Sequence, residues 1–209
     1  MKAAARAKLA HDVEKPWHAR YVVDTNVLIA ASAAMARRLG QPLLPHHREV
    51  TPEDPALQEQ VLAWLEGFAA STAHLVLDSA GQINLEYHHK LDFHDYGIQV
   101  VMWKLSREEV DRVSVDYDAD GNAFVPQPLD EVVQDLADRK MVAAALQALS
   151  LPGSSAIAFA GDTDWHDWEA ELVRTGLTLQ PIIPGWSRAK HAEKQHRHHK
   201  GPSTRSAHD

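Results

Sequence analysis

Short apolar runs alternate with longer amphipathic stretches along most of the chain. Tyr21-Val22-Val23 predicts a buried strand over about 19–23, and 26–38 follows as a helix with apolar residues on nearly every face. The segment 40–55 carries Pro42, Pro45, Pro52 and Pro55 and reads as a loop. Apolar residues at 57, 61, 62, 65 and 68 predict a helix over 56–70. A second short strand is expected over 74–77, ending at Asp78, with helices over 83–91 and 97–105. Alternation over 113–117, a turn at 118–122 and the apolar 123–125 predict a small hairpin. The segment 129–149 reads as one or two helices, 157–160 as a strand, 166–175 as a helix stopped by Gly176, and 177–179 as a last strand. Strands alternating with helices predict an α/β fold, a three-layer α/β/α arrangement around a central, mostly parallel sheet.

Composition narrows this further. The 209 residues suit one generous domain, with 44% hydrophobic and 24% charged residues. The divisions expected are an N-terminal arm over 1–18, a single domain over 19–186 and a tail over 187–209. There is no cysteine, which excludes disulfides and thiolate metal sites and suits a reducing cytoplasm. No apolar stretch reaches the ~18 residues of a membrane span, and the N-terminus lacks the apolar core of a secretory signal.

The net charge of −8 is unevenly placed. Residues 187–209 hold six Lys/Arg and two acids, a balance of +4, so the rest of the chain carries −12. The tail, polar and basic with four of its histidines at 191, 196, 198 and 199, is expected to be disordered. An acidic body argues against broad binding of polyanions, but an acidic pocket filled with divalent cations reverses its local sign.

Two predicted strands end in aspartate: Asp24 opens Asp24-Thr25-Asn26, and Asp162 opens Asp162-Thr163-Asp164. In open α/β sheets ligands sit outside the carboxyl ends of the strands. Glu86 lies on the helix after the second strand, and Asp138 precedes an alanine-rich helix. Convergent carboxylates suit hard cations such as Mg²⁺ and Mn²⁺, which lower the pKa of a water and stabilise in-line attack at phosphorus.

This ordered set resembles the PIN-domain ribonucleases over roughly residues 20–180. The segment 22–29, Val-Val-Asp-Thr-Asn-Val-Leu-Ile, looks like the family's first motif; Glu86, Asp138 and Asp162 with Asp164 look like the second, third and fourth acids. The resemblance implies a Mg²⁺- or Mn²⁺-dependent endoribonuclease that leaves 5′-phosphate and 3′-hydroxyl ends. It assigns Asp24, Glu86, Asp138 and Asp162 to the metal and the chemistry, with Asp164 assisting and Thr25 or Asn26 orienting Asp24 or a metal-bound water. It implies an RNA substrate and, as in toxin–antitoxin pairs, an antitoxin or a second copy as partner. The chain is longer than the compact VapC-type toxins, with extra sequence near 40–55 and 106–128, and it carries the basic tail.

Each acid also has a plainer explanation. Asp24, Asp138 and Asp164 can be helix N-caps, Asp135 competes with Asp138, Asp78 suits a cap or turn, and Glu86 alone is a solvated helix residue. His88-His89 lacks the i, i+4 zinc pairing, and His46-His47 sits in the proline-rich loop. Trp165 and Trp168 flank the expected pocket, as packing residues or as stacking platforms for a base. Two other functions compete. A phosphohydrolase with Asp24 as covalent nucleophile would need an acid at 26, where Asn26 stands. A non-catalytic PIN-like binding module would need none of the acids.

Overall fold

A computed structural model describes residues 17–48 and 50–199 of the chain. Five strands form one parallel sheet: β1 (Arg20–Val23), β2 (His74–Asp78), β3 (Val110–Val113), β4 (Ser155–Phe159) and β5 (Leu179–Pro181). Their order is β3-β2-β1-β4-β5, so β1 is central. Every residue of β1 and β4 is buried, as expected for strands covered on both faces. The described helices are α1 (Thr25–Arg38), α2 (Pro45–Arg48), α3 (Pro55–Ala70), α4 (Gln82–Lys90), α5 (Tyr96–Ser106), α6 (Leu129–Val132), α7 (Leu136–Ala148), α8 (Asp164–Arg174) and α9 (Pro184–His199). The layers are α/β/α: α1, α3 and α5 pack on one another, while α7 lies across β1, β2, β3 and β4.

Local chemistry explains why α1 sits so deep. Alanines 30, 31, 33 and 34 are fully buried and let neighbouring backbones approach. Ser32 Oγ donates to the Leu28 carbonyl and accepts the Gly97 N–H at 2.9 Å. A Cβ on Gly97 would stand 2.7 Å from the Leu28 Cβ, so the α1–α5 crossing requires glycine there.

Three expectations need correction. The strand expected over 113–117 lies at Val110–Val113, paired parallel with β2 from Leu75↔Val110 to Asp78↔Val113. Asp111 fixes that register by bonding Arg20 Nε at 2.7 Å and His74 Nδ1 at 3.1 Å, a polar tie across three strands that hydrophobic alternation cannot reveal. The hairpin contracts to one antiparallel bridge, Tyr117↔Ala123. Asp118 instead folds the turn onto itself by accepting the Asp120 and Asn122 N–H groups. The last strand begins at Leu179 because Gly176 (φ +90°) and the Leu177 N–H, bonded to Leu172 O, still close α8.

The tail is the third correction. Through His199 it is helical, and the boundary drawn at 187 falls inside α9. Ser187 is buried and its hydroxyl meets His166 Nε2 at 3.0 Å. Acids of α8 meet bases of α9: Asp164 and Asp167 hold Lys194, Asp167 holds His191, and Glu169 holds Arg188. Each exposed pair is weak alone, but the network gives the polar helix a partner. The segments 1–16 and 200–209, most of the expected arm and the end of the tail, lie outside the described residues.

Candidate metal centre

The register Val23↔Ala158 places the carboxyl ends of β1 and β4 side by side. Asp24 continues β1 by donating its N–H to Ala158 O at 2.9 Å. Its Oδ1 accepts the Asn26 N–H at 2.7 Å, which caps α1, and its Oδ2 accepts Trp165 Nε1–H at 2.8 Å. Asp24 is thus a helix cap and a site carboxylate at once. Asp162 follows Gly161 on the loop after β4, and its Oδ1 accepts the Asp164 N–H at 2.8 Å. Gly161 is obligatory, since a Cβ there would lie 1.9 Å from the Thr51 carbonyl oxygen. Asp138 occupies the first turn of α7, where Asp135 takes the capping role by accepting the Ala137 N–H at 2.8 Å. That frees Asp138 for the site.

One carboxylate oxygen from each of Asp24, Asp138 and Asp162 lies within 4.8 Å of the others. The residues come from three separate segments, and the site's electrostatics register the crowding. Burial, then the charge of Asp162, raises Asp24 to about 7. Burial, then Asp24, Asp162, Asp135 and Glu86, raises Asp138 to about 9. Burial also raises Asp162. The carboxylates of Asp24, Asp162, Asp135 and Glu86 all push Asp138 in the same direction, toward its protonated form.

Glu86 stands beside this group without joining it. Its carboxylate accepts Thr25 Oγ1–H at 2.5 Å and Lys140 Nζ at 2.6 Å. Thr25 therefore orients Glu86, whereas the Asn26 backbone orients Asp24. Asp164 is not brought into the cluster either: Lys194 takes its carboxylate at 2.6 Å, and it serves Asp162 only through its backbone N–H. Trp165 is completely buried and Trp168 nearly so, which rules out base stacking by either. Asp78 caps α4 through the Gln82 and Ile83 N–H groups. His88 and His89 are surface residues.

Two contributions escaped the sequence. Lys140, two residues after Asp138, neutralises Glu86 from the neighbouring helix. Trp165 supplies a donor to Asp24, with only its place in the first turn of α8 as a signal. A second polar group, His46, His47 and Asp95, also gathers donor atoms within 4.8 Å. Each imidazole Nε2 lies 2.7 Å from an Asp95 oxygen. The Leu44 N–H faces His47 Nδ1 at 3.3 Å, which assigns the His47 proton to Nε2 and makes this a hydrogen-bonded clamp. Burial alone would raise the Asp95 carboxyl, but the hydrogen bonds from His47, the Asp92 N–H and His46 hold it below its ordinary value.

A cavity of about 670 Å³ opens beside Asp162 and Asn26. Among the described residues no helix is long and apolar enough to cross a membrane. Compared with protein-family models, with curated proteins and with solved structures, the chain matches none.

Proposed function

We infer that the chain is a divalent-metal-dependent endoribonuclease of PIN-like type, acting in a reducing cytoplasm. The observation that carries this is the meeting of Asp24, Asp138 and Asp162 within 4.8 Å at the carboxyl ends of β1 and β4. One buried and two half-buried carboxylates held together in this way repel one another: Asp24 is raised to about 7 and Asp138 to about 9, and Asp162 is raised as well. Such an arrangement persists at a cost to stability and is relieved by a cation. The donor set is all oxygen, which fits Mg²⁺ or Mn²⁺ and not a soft ion.

Asp24, Asp138 and Asp162 would hold the ion, and its chemistry there would be Lewis acidity for phosphodiester hydrolysis. The chain's own groups prepare the site. The Asn26 N–H and the Trp165 indole aim the two oxygens of Asp24. The Asp164 N–H aims Asp162. Thr25 and Lys140 fix Glu86 at the margin, where its charge reaches both Asp24 and Asp138. The phosphohydrolase alternative is weaker, because position 26 offers no acid for the acid–base step.

The test is cleavage of RNA by the purified full chain in Mn²⁺, with the ends of the products mapped. Cleavage lost in Asp24→Asn and in Asp138→Asn supports the reading. Cleavage equal to wild type in both variants rules it out.

A further inference from the structure

Trp186, Lys190, Lys194 and Arg197 follow one another at intervals of four, four and three residues. On an α-helix that spacing is a single stripe. In α9 all four residues line the same cavity as Asn26, Thr51, Glu53, Asp54 and Asp162. The stripe extends about 16 Å along the helix at about 1.5 Å per residue. It sets three cations and one half-buried indole beside a carboxylate of the metal centre, on a body whose charge is otherwise acidic.

The ion pairs of the stripe leave it usable. Lys194 is anchored to α8 through Asp164 and Asp167. Among the described residues, Lys190 pairs only with Glu193 of its own helix, and Arg197 makes no ion pair. Both side chains are exposed. The 670 Å³ of the cavity lies within the ~300–1,000 Å³ of sites that enclose small ligands, room for a nucleotide and its flanking phosphates.

We propose that this face of α9 grips the phosphate backbone of a single strand of RNA and leads it to the carboxylates, with Trp186 offering a ring to a base. The proposal rests on the ribonuclease reading for its substrate and adds the element that holds it. Lysine and arginine supply the salt-dependent attraction, and an aromatic face adds contact without demanding a sequence. An acidic pocket lacks the means to attract a polyanion in the absence of its metal; the stripe supplies it.

The experiment uses the full chain in EDTA, in the Asp24→Asn background, with a fluorescein-labelled single-stranded RNA read by anisotropy across a salt series. Lys190→Gln/Arg197→Gln should weaken binding at least tenfold at low salt. It should also flatten the slope of log K against log salt by about 1.4, two phosphate contacts at about 0.7 each. Trp186→Leu should weaken binding with the slope unchanged. Arg188→Gln, which loses a cation paired with Glu169 and absent from the cavity lining, should bind as its parent does. Equal losses in Arg188→Gln and in the stripe variant, an unchanged stripe variant, or tighter binding of duplex than of single-stranded RNA each overturn the proposal. The same stripe substitutions, made in the wild-type chain and assayed for cleavage in Mn²⁺, separate the two readings. Normal binding with normal cleavage removes the grip and leaves the nuclease. Impaired binding in a protein that never cleaves removes the nuclease and leaves the grip.

Discussion

Trp165 Nε1 donates to Asp24 Oδ2 across 2.8 Å, joining residues 141 positions apart inside the core. This bond works against the burial and the Asp162 charge that raise Asp24. Trp165→Phe removes the donor and preserves most of the ring volume. Asp24 should then titrate above 7, so the midpoint of Mn²⁺ binding against pH should move upward. Stability should fall by about 1 kcal/mol from the orphaned acceptor. Calorimetric Mn²⁺ titrations from pH 6 to 9 check this; an unmoved midpoint means the indole only fills space.

Asp138→Asn should stabilise the metal-free protein while abolishing the proposed activity. The folded carboxyl titrates at about 9 against an ordinary value of 3.8, so folding favours its protonated form. Wild-type stability from this group is therefore full below pH ~4 and is lost as pH rises toward 9. The variant should gain roughly 1–2 kcal/mol at pH 8 and little at pH 4. Urea unfolding in EDTA at both pH values measures it. A variant less stable than wild type at pH 8 would show that Asp138 makes a favourable contact.

Metal uptake should expel protons. At pH 7 Asp138 is protonated and Asp24 about half so, and a divalent ion requires both as carboxylates. Mn²⁺ titrations in buffers of different ionisation enthalpy should give heats that vary with the buffer, and the melting temperature should rise with Mn²⁺ and return with EDTA. Heats independent of buffer would place the ion elsewhere.

Gly161→Ala should damage the site without touching a carboxylate. Its Cβ would meet the Thr51 carbonyl oxygen, a backbone atom, at 1.9 Å, so the loop carrying Asp162 must move. A stability loss of about 1–3 kcal/mol and a larger loss of Mn²⁺ affinity are expected. Full affinity in the variant would mean the loop shifts as a unit.

Strands β1, β2 and β4 were legible because each is a short apolar run ending at a polar turn, and burial on both faces leaves no other use for such a run. Asp24 and Asp162 were legible for the same reason, since the strand end locates the ligand edge of the sheet. Asp138 could be ranked against Asp135 only by its place among the acids, because one cap and one site residue look alike three positions apart. β3 was misplaced because its register depends on Arg20 and His74, residues of other strands. Helix α9 was missed because its stabilising charges sit on α8, about 30 residues earlier, and a polar helix has no apolar stripe to announce it. Glu86 and Asp164 matched the pattern, yet lysines that no local pattern connects to them hold their carboxylates.

The double duty of Asp24 limits how this architecture could lose the proposed chemistry. The side chain that faces the site also closes the first turn of the deeply buried α1, so erosion to alanine would weaken the scaffold along with the proposed reaction. A descendant that abandons catalysis yet stays folded has a narrow exit: asparagine or serine at position 24, able to accept the Asn26 N–H but unable to bear the charge. Inert copies of this architecture should therefore be recognised by a neutral polar residue there, not by an apolar one.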